Sequence, residues 1–207
     1  MSAIPAQKRL SFEVNTLMNK RPVVLEGKRV KIIPLEAVHC EELWETARDE
    51  TLWEHYTFRK MGGFDRFKAF LDFSINKMAG GSEYTFTITD NRIGRMTGGT
   101  SFLDIQPETR SLEIGRTWIA KYLQGTGFNE ECKLLLLKFC FEEMRTIRVF
   151  FKTDSNNIRS QKALEKIGAK HEGILRNHMI RDDGTYRHSV YYSIIEDEWE
   201  QVKQTLT

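Results

Sequence analysis

A chain of 207 residues, 40% hydrophobic and 29% charged with a net charge of +2, has the make-up of a folded protein with a substantial core. The near-neutral balance offers no clustered basic face for nucleic acid, and no apolar run reaches the roughly 18–20 residues of a membrane span. The opening MSAIPAQKRLSFEVN lacks an apolar segment ahead of a cleavage site, so a cytoplasmic location is expected.

Residues 1–20 read as a weakly amphipathic N-terminal extension, ahead of one domain over 21–207 that no linker, repeat or low-complexity block divides. VVLEGKRVKIIPL (23–35) alternates well enough for a first strand. EAVHCEELWETAR (36–48) sets Val38, Leu43 and Trp44 at helical spacing. FDRFKAFLDFSINKMAGG (64–81) is a stronger helix, with Phe67, Phe70, Leu71 and Ile75 on one stripe and two glycines as its stop. EYTFTITD (83–90), RIGRMTGGTSFLDI (92–105) and SLEIGRTWIA (111–120) are three strands joined by short turns, with glycines in the second where a bulge fits. A helix then fills the apolar run up to 143. Strand IRVFFKTD (147–154), helix NIRSQKALEKIG (157–168) and strands 171–181 and 186–195 complete the chain. The sum is a single mixed, mainly antiparallel sheet flanked by helices, an α/β fold.

Cys40, Cys132 and Cys140 are odd in number and lack CxxC spacing. Cys132 and Cys140 lie about 12 Å apart along a helix, beyond the roughly 7 Å that a disulfide tolerates. Free thiols packed in a core are the economical reading, ahead of a catalytic cysteine.

YLQGTGFNEE joins the third meander strand to the most apolar helix. Gly125 and Gly127 allow φ > 0 and close backbone approach, and the first N–H groups of the helix lack internal partners. Such a turn suits an anion, although glycines at strand-to-helix turns also serve structure alone. It is neither a Walker loop, because Phe128 and Asn129 follow Gly127 in place of Lys-Ser/Thr, nor a dinucleotide loop, because Glu130 occupies the third glycine position.

In order along the chain come LEIGRTWIA, Gln124-x-x-Gly127-x-Asn129, NNIRS with LEKIGA, and EGILR…DG…YYSIIEDEW. Taken together they resemble the GNAT acyltransferase superfamily, and in particular its Rim-type branch that acetylates ribosomal-protein N-termini. The resemblance implies a GNAT-like fold that binds acetyl-CoA as cosubstrate, with no metal. It implies that Gln124, Gly125, Thr126, Gly127, Phe128 and Asn129 cradle the pyrophosphate, and that Asn157 and Ser160 contact the pantetheine arm. Backbone N–H groups near Trp118, Ile119 and Ala120 would meet the oxyanion and the pantetheine amides. Three departures stand out: Asn129 in place of a small residue, Ala169 in place of phenylalanine, and Leu164 where many members carry the tyrosine acid.

Acetyl transfer to an amine needs a neutral amine, an oxyanion donor and a proton for the thiolate. By resemblance Ser160 is the acid, while Asn157 is equally a helix N-cap. Glu113 is the family's usual base, but on an alternating strand it also reads as an outward, solvated side chain. His178, titrating near 6.5, is the alternative base or a half-buried strand histidine. Trp53, His55, Tyr56 and Phe58 either line the acceptor cleft or form an aromatic core. The expected function is N-acetyltransfer from acetyl-CoA to a peptide α-amine or a small polyamine-like or aminoglycoside-like amine, with a possible homodimer. A non-catalytic acyl-CoA-binding module is the rival.

Overall fold

The computed structural model describes residues 22–207, so the extension expected over 1–20 lies outside the described residues. The strands are β1 (Leu25–Glu26), β2 (Val30–Pro34), β3 (Tyr84–Asp90), β4 (Arg95–Gln106), β5 (Ser111–Ile119), β6 (Arg148–Asp154), β7 (Lys170–Ile180) and β8 (Tyr186–Ile195). They form one sheet in the order β1-β2-β3-β4-β5-β6-β8-β7, antiparallel throughout except between β5 and β6. The helices are α1 (Cys40–Ala47), α2 (Phe64–Ala79), α3 (Phe128–Lys138), α4 (Ile158–Lys166) and α5 (Trp199–Leu206).

Two apolar clusters cover the sheet. One joins α1 and α2 to Trp53 and Trp118; the other joins α3, α4 and α5 to β2 through β8. Trp118 and Ile119, neighbours on β5, belong to different clusters, as the alternation of a pleated strand requires. Central strands are covered on both sides, so β3 buries its threonines too: Thr85 bonds Ser101 (2.9 Å) and Thr87 bonds His39 (3.0 Å).

The expected first strand over 23–35 is two strands, because Gly27 donates to Val30 O (2.8 Å) and closes a turn between them. Val38 is 79% exposed rather than on the inner stripe, since its segment is a short 3-10 turn ahead of α1. The bulge expected near the β4 glycines is present at Thr97, where β4 gains a residue against β3. The terminal helix α5, anchored by Trp199 and Val202, was not anticipated. Two apolar anchors after an acidic run give too weak a period to stand out.

All three cysteines are free and buried. Burial pushes the Cys132 thiol up to about 11 and raises those of Cys140 and Cys40 as well. The native protein should therefore resist a neutral thiol reagent at about pH 7.5, with all three groups titrating only after denaturation; rapid labelling of native Cys132 would contradict this packing.

Candidate active site

The sheet is incomplete at its centre. Between β5 and β6 the parallel register runs only through Ser111↔Arg148, Leu112↔Val149 and Glu113↔Phe150. Beyond that β6 stays with β8, while β5 stays with β4. Residues 114–119 of β5 therefore face an opening. A bulge shapes this edge: Gly99 and Ser101 of β4 span Trp118 and Gly115 of β5, and Arg116 takes up the extra residue at φ +48°. The Arg116 side chain is tied to Glu83 at its other end.

Ala120 donates its N–H to Thr97 O (2.8 Å), which removes it from the oxyanion donors expected from the sequence. Alternation along an antiparallel strand then turns Ile119 away from β4, toward the opening. Its carbonyl does point there, because Gln124 Nε2 donates to it (3.3 Å). The Ile119 N–H is thus the backbone donor that this edge presents. Trp118 directs its ring into the other cluster, 5.3 Å from Trp53.

Above the opening runs the glycine turn. Gly125 (φ +75°) and Gly127 (φ +84°) are both left-handed, and a Cβ built on either meets nothing within 4 Å. Glu131 is the first residue to bond within α3, donating to Gly127 O (3.1 Å). No side chain caps the helix, so the N–H groups of Phe128, Asn129 and Glu130 lack helical partners. Phe128, fully buried, pins the helix start, and Asn129 is half-buried beside it. Arg29 braces the turn from outside, donating to Thr126 O (2.8 Å) and Oγ1 (3.3 Å). The turn, the unpartnered N–H groups and the space before them suit a phosphate chain.

Asn157 caps α4, its Oδ1 accepting from the Ser160 N–H (3.0 Å). Ser160 is half-buried in the first turn of that helix. Arg159 donates to Gln124 Oε1 (2.6 Å), so the start of α4 and the glycine turn meet across the opening. Leu164 is 7% exposed and belongs to the core, away from any acid role.

Glu113 and His178 lie on the α1–α2 face. Glu113, 4% exposed, pairs with Lys152 Nζ (2.7 Å). Burial raises its pKa against the pull of Lys152. A Cβ on Gly115 would fall 2.6 Å from Glu113 Oε1, which is why the carboxyl needs glycine beside it. His178 is aimed by a bulge in β7, where Leu175 and Met179 span only Ser189 and Arg187, and Asn177 sits at φ +50°. Its Nδ1 meets Ser189 Oγ (2.9 Å) and its ring packs edge-on to Tyr191. Burial, with Lys152 and Arg187 nearby, lowers its pKa below 6.5. The structure thus gathers Glu113, Lys152, Tyr191 and His178, whereas Ser160 stands apart beside the glycine turn.

Of the aromatic segment, Trp53 is fully buried and is core; Tyr56 and Phe58 are half-buried at its edge. The sequence reading missed Lys133, which is 5% exposed and donates to Thr117 Oγ1 (2.8 Å) beneath the opening. Its signal was available: Lys133, Leu137 and Cys140 share one helical stripe, and the other two are core.

The GNAT acetyltransferase domain model matches residues 29–170. The "Putative ribosomal N-acetyltransferase YdaF" of Bacillus subtilis is 33% identical over 110 residues, 53% of this chain and 59% of that protein. The chain thus spans about three-fifths of the length of this curated relative. A solved acetyltransferase structure from T. thermophilus is 32% identical, covers 90% of this chain and 96% of its own, and superposes with a TM-score of 0.81. The ribosomal-protein-S5-alanine acetyltransferase of Vibrio fischeri shares the fold at 17% identity and a TM-score of 0.66, over 86% of this chain and 98% of its own. With the family model spanning more than half of the sequence, the chain belongs to the GNAT acetyltransferase family.

Proposed function

We propose that this protein transfers an acetyl group from acetyl-CoA to a primary amine by direct attack in a ternary complex. The observation that carries this reading is the parting of β5 and β6 after Glu113 and Phe150, directly beneath an unfilled glycine turn at a helix N-terminus. The turn from Gln124 to Gly127 and the free N–H groups of α3 hold the pyrophosphate. The pantetheine arm lies along the open edge of β5, much as an added strand would. Ile119 N–H donates to the thioester carbonyl, whose oxygen gains charge as the amine nitrogen bonds to the carbon.

His178 is the better base. The Glu113 carboxylate is enclosed and held by Lys152, whereas His178 is reachable and neutral at about pH 7. It takes the ammonium proton as the C–N bond forms, and the Ser160 hydroxyl gives a proton to the sulfur as the C–S bond breaks. A protein α-amine is the favoured acceptor, in line with the ribosomal name of the B. subtilis relative. With a pKa near 7.7–8.0 an α-amine is roughly a tenth neutral at pH 7, so it asks little of a base.

Ser160→Ala should lower kcat about 10²- to 10⁴-fold and leave the CoA dissociation constant within about twofold. In parallel, kcat/KM should fall below the depressed His178 pKa and lose that acid limb in His178→Gln. CoA binding without thiol release from acetyl-CoA, across a broad amine panel, would instead favour a non-catalytic module.

A further inference from the structure

We propose that the acceptor side of the cleft contains an anion-binding subsite made by Arg187 and the Tyr56 hydroxyl, and that the acceptor amine carries a carboxylate. This inference rests on the transferase reading above and specifies its acceptor.

The argument begins with an imbalance of charge. Asp154, 2% exposed, accepts from Arg181 Nη2 (2.6 Å) at one oxygen and from the Asn156 N–H (2.9 Å) at the other. Both oxygens are therefore occupied. Arg187 nonetheless lies against the same carboxylate, its Nε 3.9 Å away and its side chain 13% exposed. One carboxylate faces two guanidinium groups. Arg181 is also bonded to Thr185 Oγ1 and Tyr186 O, so it is a structural latch for the β7–β8 turn. Among the described residues Arg187 makes no hydrogen bond, and its Nε is buried. An enclosed guanidinium with an excess positive charge and unfilled donors matches a planar carboxylate.

A second unfilled group arrives from a distant part of the chain. The Tyr56 hydroxyl is buried and unpartnered. Burial pushes its pKa up while Arg116 and Arg187 pull the other way, so it stays a neutral donor close to both cations. Its loop is fixed against the β7–β8 turn: the Asp182 N–H donates to Thr57 O (3.1 Å), Arg59 pairs with Asp183 (3.3 Å), and Arg66 pairs with Asp182. Those ties hold Tyr56 at the end of β8 that carries Arg187.

Position assigns the anion to the acceptor rather than to the cofactor. The phosphate turn is at Gln124–Gly127, braced by Arg29 and Arg159, whereas Arg187 is near enough to His178 to depress its pKa. A carboxylate held by Arg187 would bring its own amine toward that imidazole. Arg187, Lys152 and Arg116 also disfavour polycations, which argues against polyamine-like and aminoglycoside-like acceptors. Free amino acids and peptides with an acidic residue near the N-terminus both present this chemistry.

The test compares acceptors differing only in charge: alanine against alaninamide, and Ala-Glu peptides against Ala-Gln peptides, each with saturating acetyl-CoA. The wild type should favour the carboxylate member about 10- to 100-fold through KM, and Arg187→Gln should bring that ratio near one. Tyr56→Phe should reduce it several-fold. The free amino acid pair and the peptide pair separate the two sources. Calorimetry of N-acetylalanine against N-acetylalaninamide on the CoA-bound protein gives a readout without turnover, so it still decides the subsite if no amine is acetylated. Arg187→Lys, which keeps the charge but not the fork, serves if Arg187→Gln fails to fold. No charge preference in the wild type, or an equal loss for both members in the variants, overturns the proposal.

Discussion

Gly127→Val should weaken CoA binding by about 100-fold or more while costing the fold only about 1–2 kcal/mol. The reason is that the two effects have different sources. At φ +84° a β-branched residue is strained, which accounts for the stability cost. No protein atom lies within 4 Å of the added Cβ, so the fold itself has room for it. What the side chain occupies is the space before the unpartnered N–H groups at the start of α3, where the pyrophosphate is proposed to lie. Calorimetry with CoA, read beside thermal melts, separates the two. Gly81→Val is the control: it is exposed, left-handed at φ +73°, and by register lies toward the Tyr84–Phe102–Ile114 end of the sheet, opposite the glycine turn. It should show a similar fall in Tm and unchanged CoA affinity. Equal loss of affinity in both variants would remove the glycine turn from the site.

Lys133→Met should stabilise the protein at pH 7 by about 1–3 kcal/mol. The lysine has one hydrogen bond, to Thr117, and packs its ammonium 5.7 Å from the Phe151 ring centre, with no carboxylate in contact. Burial lowers its pKa from 10.5 to about 8. The folded state therefore binds fewer protons than the unfolded state between these values. The cost of enclosing the charge is full below about pH 8 and fades as pH rises through 10.5. A shift of that size corresponds to about 3 kcal/mol at most, from which the lost hydrogen bond subtracts. Denaturant melts should show the variant ahead at about pH 7 and the gap closing toward about pH 10.5. A variant less stable at every pH would mean that the Thr117 contact outweighs the burial of the charge.

Periodicity revealed the helices with continuous stripes, such as Phe67 and Leu71 in α2, because a 3.6-residue repeat is a local property. The ordered motifs likewise located the glycine turn and the α4 cap. Hidden from the sequence were the features that depend on pairing partners. Arg116 and Asn177 adopt left-handed φ without being glycine, and nothing in the alternation around them tells which residue a neighbouring strand will leave unmatched. Those two bulges shape the open edge of β5 and aim His178. The Arg187–Asp154–Arg181 cluster and Tyr56 were equally invisible, being joined by a turn contact across more than a hundred residues. Glu113 was placed on the correct strand, but its enclosure with Lys152 depends on the parallel register of β6.

The short seam between β5 and β6 also has a mechanical side. The sheet is in effect two ribbons, β1 to β5 and β6-β8-β7, stitched edge to edge at three residue pairs. A molecule lying along the gap would act as a splint, bonding to both ribbons and stiffening the line along which they flex. Amide protons on the facing edges of Ile114–Ile119 and Phe151–Asp154 should then exchange more slowly once CoA is bound, while those of the β2–β3 ladder, far from the seam, keep their rates.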